Sequence, residues 1–128
     1  MRRAAVVALA AMLVGALSTG AGAAEKVYYE TPFGKVVYKP KRIGFSDLTL
    51  TKIHWRHWNS RRARGRARAR INTCNPSCGA GNIVRGTAKL RVFQRHREGG
   101  RLVYGCLKGT TRANGETQRV QWPPGCGS

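Results

Sequence analysis

The stretch Arg61-Arg62-Ala63-Arg64-Gly65-Arg66-Ala67-Arg68-Ala69-Arg70 decides between two folds. Propensity alone favours a helix starting after Asn59 or Ser60, because alanine and arginine are good helix formers. Patterning opposes it. A spacing of two spreads arginines around a helix, leaves no apolar stripe, and sets Arg61 and Arg62 at the positive end of the dipole. Extended, the same residues sort cleanly. Arg64, Arg66, Arg68 and Arg70 take one face, and small residues that can pack beneath a neighbouring sheet or under Trp55 and Trp58 take the other. The run is read as a strand.

The flanking sequence agrees. Upstream, Leu48, Leu50, Ile53 and Trp55 are interleaved with polar residues, which predicts a strand over 46–56 with a bulge at the phase slip between Leu50 and Ile53. Downstream, Ala88, Leu90 and Val92 alternate with Lys89 and Arg91. A tight turn at Glu98-Gly99-Gly100-Arg101 leads into Leu102, Val103 and Tyr104. Asn114-Gly115, suited to a type I′ turn, separates two further β-forming flanks, and Pro123-Pro124-Gly125 ends the last strand. These segments form a three-stranded meander. Residues 25–42 carry Val27-Tyr28-Tyr29 and Val36-Val37-Tyr38 around Thr31-Pro32-Phe33-Gly34, an arm or a hairpin.

Ahead of this lies a leader. Met1-Arg2-Arg3, the apolar stretch Ala4 to Leu17 and the small residues Ser18 to Ala24 follow the order of a helical signal peptide, cut after Ala23 or Ala24. The apolar stretch is shorter than the about 20 residues needed to cross a bilayer core. The general secretory route fits better than the twin-arginine one, and no cysteine at the end of the leader could accept a lipid. The expected product is free outside the cell.

All four cysteines, Cys74, Cys78, Cys106 and Cys126, follow the leader, and an even number in a small exported chain reads as two disulfides. If Ala113 pairs with Glu116, counting outward sets Cys106 opposite Pro123, so Cys106–Cys126 is the geometrically easy bridge. By elimination Cys74 then pairs with Cys78 through the Asn75-Pro76-Ser77 loop, although three connectivities are formally possible. Zinc is disfavoured, since neither cysteine spacing matches a paired knuckle. The expected fold is a small all-β domain over 43–128, an antiparallel sandwich or open barrel of about five to seven strands.

Charge bounds the function. The chain has 24 Lys and Arg against five acids; loss of Arg2 and Arg3 with the leader lowers its net charge from +19 to +17. Such a field attracts anionic polymers of any kind. Only Glu25, Glu30, Asp47, Glu98 and Glu116 could act as carboxylate acid, base or ligand. Ser46 and Asp47 beside a histidine carry no catalytic signature. His54 and His57 would point to opposite faces of a strand, away from a shared metal. No cofactor is implied.

On a strand the arginines stand about 7 Å apart, and each adjacent pair repels by roughly 0.6 kcal/mol in water before screening. Arg61, Arg62, Arg64, Arg66, Arg68 and Arg70 thus form a candidate ridge for a cell-wall polyanion, extracellular nucleic acid or acidic lipid headgroups. Their guanidinium forks are suited to bidentate contacts. The plainer alternative is a solvated, solubilising face. Trp55 and Trp58 precede the run and are not interleaved with it, so nothing there reads bases. Two other roles are a secreted inhibitor or toxin-like protein using the Cys74–Cys78 loop, and a hydrolase of an acidic polymer.

The pattern Leu50-x2-Ile53-x-Trp55-x2-Trp58, then Ala63-x-Gly65, then Cys74-x-Pro76-x-Cys78-x2-Gly81, resembles a family of small secreted proteins of high-GC Gram-positive (actinobacterial) bacteria. The resemblance spans residues 40–107. It implies a β-strand for 61–70 and a bridge between Cys74 and Cys78. It carries no activity over, since the family's members are mostly uncharacterised. The chain departs from it at Asn59, where the family has a glycine, and in the arginines themselves, so the resemblance says nothing for anion binding.

Overall fold

The alternation at 63–70 is realised in full: Ala63, Gly65, Ala67 and Ala69 are buried, while Arg64, Arg66, Arg68 and Arg70 are exposed. A computed structural model describes residues 25–127, in which eight strands build one continuous sheet and no helix occurs. The leader reading falls on residues 1–24, outside the described residues.

The strands are β1 (Val27–Glu30), β2 (Val36–Val37), β3 (Ile43–Gly44), β4 (Leu48–Arg56), β5 (Ala63–Asn72), β6 (Ile83–Glu98), β7 (Arg101–Ala113) and β8 (Glu116–Trp122). Their order is β2-β1-β7-β6-β5-β4-β3, with β8 also on β7. The sheet curls into a half-barrel, so of the two expected architectures the open barrel forms and the sandwich does not. The strand count exceeds the expected range because β2 and β3 are two-residue strands. Neighbours are antiparallel except β1 and β7, which pair in parallel with Val27 opposite Leu102. The segment 25–42 is a hairpin, β1–β2, that joins the sheet through this parallel pair.

The meander has the expected turns and register, with Glu98 opposite Arg101 and Ala113 opposite Glu116. The slip in β4 is a bulge, with Lys52 at φ 50° and the register to β5 shifting between Thr51 and His54. This lets Leu50, Ile53 and Trp55 all enter the core. A second adjustment lies between the pairs Phe93–Cys106 and Arg95–Tyr104, where Gln94 has φ 58°. Past it β7 changes partner along one edge, from β1 at residues 102–104 to β8 at 107–113.

The core gathers Val27, Tyr29, Ile43, Leu50, Leu90, Val92 and Leu107 around edge-to-face contacts of Trp58 with Trp55 and Tyr104, ring centroids 4.8 and 5.0 Å apart. Aromatic nitrogens tie the curl together. Trp55 Nε1 donates to Pro40 O at 2.7 Å and Trp58 Nε1 to Val27 O at 2.8 Å, so each indole satisfies its one donor. Asn59, at φ 78°, occupies the left-handed region that favours glycine. Its Oδ1 accepts from Val27 N and its Nδ2 donates to Tyr38 Oη, which a glycine there could not do.

Both disulfides form, Cys74–Cys78 and Cys106–Cys126, as expected for an oxidising compartment. Asn72 organises the short loop: its Oδ1 accepts from Cys74 N and its Nδ2 donates to Cys78 O. A Cβ at Gly81 would collide with that Asn72 oxygen and with the Cys74 amide. The spacing from Cys78 to Gly81 therefore has a local steric cause.

Candidate functional site

Strand β5 sits mid-sheet, paired along its whole length with β4 and β6, so its arginines are flanked by the outward residues of other strands. Arg64 lies directly opposite Arg91, Arg66 opposite Lys89, and Arg70 opposite Arg85. The line through Arg64 and Arg91 continues to Arg56 on β4 and Lys108 on β7. That through Arg66 and Lys89 begins at His54 and runs by Thr110 to Arg119 on β8. The expected ridge is therefore one column of a two-dimensional field of cations covering the face opposite the core.

Directly opposed side chains have Cβ atoms about 4.5–5.5 Å apart, and like charges so placed are destabilising. At that range two unit charges would repel by about 0.8 kcal/mol in water, less where the side chains splay apart. Carboxylates do not relieve this. Among the described residues the carboxylate contacts are the Arg97–Glu25 ion pair at 2.8 Å and His96–Glu98 at 3.5 Å, an ion pair only when the imidazole is protonated, both near the Gly99-Gly100 end of β6 and away from the field. Arg97 donates twice to Glu25, which holds that carboxyl below its ordinary value.

Arg61 and Arg62 stand apart. They precede β5 in the turn after Trp58, and with Ser60, Phe93, Gln94, Arg95 and Leu102 they line a separate depression. The linear reading of all six arginines thus divides into four on the strand face and two on a turn. Trp55 and Trp58 belong to the core, and Pro76 lies exposed in the stapled loop.

A concavity lies on the cationic face. It is a groove of about 900 Å³ running across β4 to β8. Its floor follows the backbone of Gly65, Leu90, Gly109 and Val120, consecutive partners across four strands. Its walls are the two lines just described, Arg56–Arg64–Arg91–Lys108–Gln121 on one side and His54–Arg66–Lys89–Thr110–Arg119 on the other. Side chains two apart on a strand share a face while the residue between them turns its side chain inward, which leaves a trough between walls.

The cations of β6, β7 and β8 were not singled out from sequence, although a signal for them existed. Counting from the Gly99-Gly100 turn sets Arg91 against Lys108, and counting from Asn114-Gly115 sets Thr110 against Arg119. What could not be counted was the junction of β5 with β6, because a long stapled loop joins them. Comparison of the chain with protein-family models, curated proteins and solved structures gives no match.

Proposed function

We propose that this is a secreted, non-enzymatic protein that binds anionic polymers through the exposed cationic face of its sheet. The observation that carries the reading is the like-charge pairing of Arg64 with Arg91, Arg66 with Lys89 and Arg70 with Arg85, without a carboxylate between them. A sheet that only needed solubility could alternate signs across its strands. One whose ligand is a polyanion obtains its neutralising charge on binding. Guanidinium groups suit this because they are weakly hydrated and make bidentate contacts to phosphate or sulfate.

Binding of this kind is governed by counterion release, and the logarithm of the binding constant falls linearly with the logarithm of salt concentration. Replacing Arg64, Arg66, Arg68 and Arg70 by serine is expected to reduce the steepness of that dependence by about 0.9 for each arginine in contact, up to about 3.6, for duplex DNA as probe. An unchanged slope overturns the reading. An affinity that survives high salt and is lost on reduction of Cys74–Cys78 would point instead to a protein target held by the stapled loop.

A further inference from the structure

Resting on the anion-binding reading, we propose that the polymer lies across the strands in the groove floored by Gly65, Leu90 and Gly109, and that it is linear polyphosphate. Three observations lead there.

The first is direction. Along β5 the four arginines make one row of charges, of which only Arg64 and Arg66 border the groove. Across the strands the face has relief: a trough with cationic walls on both sides, so that a narrow chain laid in it meets positive charge from two directions at once.

The second is charge density. Arg56, Arg64, Arg91 and Lys108 stand along one wall, and Arg66, Lys89 and Arg119 along the other. With strands about 4.8 Å apart, the walls together supply roughly one positive charge for every 3 Å of groove. A condensed phosphate chain carries a negative charge on every phosphorus with a single bridging oxygen between, which is closer than the charges of phosphodiester or uronate polymers, separated by a sugar or polyol. Among single chains polyphosphate therefore comes nearest to neutralising both walls over the length of the groove; duplex DNA reaches about one charge per 1.7 Å only by carrying two strands.

The third is the lining chemistry. No phenylalanine, tyrosine or tryptophan lines the groove, and the only ring is that of His54. Single-stranded nucleic acids obtain much of their affinity from bases stacked on aromatic side chains, and here a base would find only charged stems and backbone. Sequence-independent contact to phosphates alone remains.

The sheet provides its own control. Arg64–Arg91 and Arg70–Arg85 are both directly opposed arginine pairs between β5 and β6, and only the first lines the groove. Replacing either pair by serine removes the same charge from the same two strands. Fluorescence titration at about 0.15 M salt would compare long-chain polyphosphate, an oligothymidylate of equal charge and phosphatidylglycerol vesicles. Arg64→Ser/Arg91→Ser is expected to weaken polyphosphate binding at least tenfold and Arg70→Ser/Arg85→Ser less than threefold, with polyphosphate bound at least tenfold tighter than oligothymidylate. Equal losses for the two pairs overturn the groove while leaving the anion-binding face standing. Oligothymidylate or vesicles bound as tightly as polyphosphate overturn the choice of polymer. Should neither pair weaken binding of any of the three, the anion-binding reading itself fails. Far-ultraviolet circular dichroism of both variants checks that the sheet is intact; a misfolded variant is replaced by the single changes Arg91→Ser and Arg85→Ser, compared in the same way.

Discussion

Gly65 and Trp55 face each other across β4 and β5, and a Cβ at Gly65 would stand 2.8 Å from the Cε3 of that ring. The indole cannot step aside without breaking its hydrogen bond to Pro40 O. Gly65→Ala should therefore destabilise by about 1–3 kcal/mol through overpacking, despite alanine's better backbone propensity. Gly79→Ala, where an added methyl meets nothing, is the matched control in urea denaturation. A neutral Gly65→Ala would mean that Trp55 is free to move. Tyr29 is the opposite case, a buried phenol whose hydroxyl has no hydrogen-bond partner. Burial raises its pKa well above the ordinary phenol value. The unfolded chain then releases this proton first, so stability is whole below about pH 10 and declines as pH rises beyond it. Tyr29→Phe is expected to leave neutral-pH stability within about 1 kcal/mol of the parent, since it deletes an unsatisfied group. It should also make thermal denaturation between pH 10 and 11.5 less steeply pH-dependent. Tyr104, raised by burial as well, keeps part of that slope in the variant. An alkaline profile identical to the parent's would show that Tyr29 is more accessible than its surroundings indicate.

At the scale of elements the two disulfides differ in what they close. Cys106–Cys126 spans 20 positions and staples the C-terminal tail onto β7, whereas Cys74–Cys78 spans four and lies on an exposed loop. The chain-entropy model assigns about 3 kcal/mol to the longer loop and about 2 to the shorter. Part of the shorter contribution is duplicated by Asn72, which already holds both ends of its loop by hydrogen bonds. Replacing Cys106 and Cys126 by alanine should thus lower the melting temperature clearly more than replacing Cys74 and Cys78, as read by calorimetry. The reverse order would mean that the β7–β8 hairpin holds its tail without help. The same elements mark what the sequence makes legible. Local counting from Asn114-Gly115 places Ala113 against Glu116 and predicts the Cys106–Cys126 bridge, because a two-residue loop leaves little freedom. The spacing from Leu50 to Ile53 announces the β4 bulge for the same local reason. Nothing local announces that β1 pairs in parallel with β7, because that contact depends on Trp58 and Asn59 capturing Val27 across 31 and 32 positions of chain. The breadth of the cationic field was hidden similarly. Counting from the turns pairs Arg91 with Lys108 and Thr110 with Arg119, but only the assembled sheet discloses that Arg64 stands against Arg91 and Arg66 against Lys89.

For the whole molecule the decisive quantity is the balance of attraction and repulsion among surface charges. A net charge of +19 for the chain, histidines neutral, is set against the exposed Arg97–Glu25 pair and a His96–Glu98 contact that is an ion pair only when His96 is protonated, and exposed pairs contribute little. Opposed cations across β4 to β8 add repulsions of a few tenths of a kcal/mol each, numerous enough to outweigh the pairs. Sodium chloride should therefore stabilise this fold where it leaves a charge-balanced domain unmoved. Raising it from about 10 mM to 0.5 M shortens the Debye length from about 30 Å to a few ångströms and screens neighbouring rows from one another. The melting temperature is expected to climb by several degrees over that range, at about 4–8 °C per kcal/mol for a domain of this size. Chloride is the informative salt, because sulfate and phosphate stabilise proteins by exclusion and are also candidate ligands. The quadruple serine variant of Arg64, Arg66, Arg68 and Arg70 supplies the internal check. It should melt higher than the parent at 10 mM salt and respond less to added chloride, since the same repulsions have been removed by substitution instead of screening. A parent protein indifferent to chloride would show that its arginines splay far enough into water to escape one another. The like-charge pairing would then lose its claim to be a feature that a ligand must neutralise.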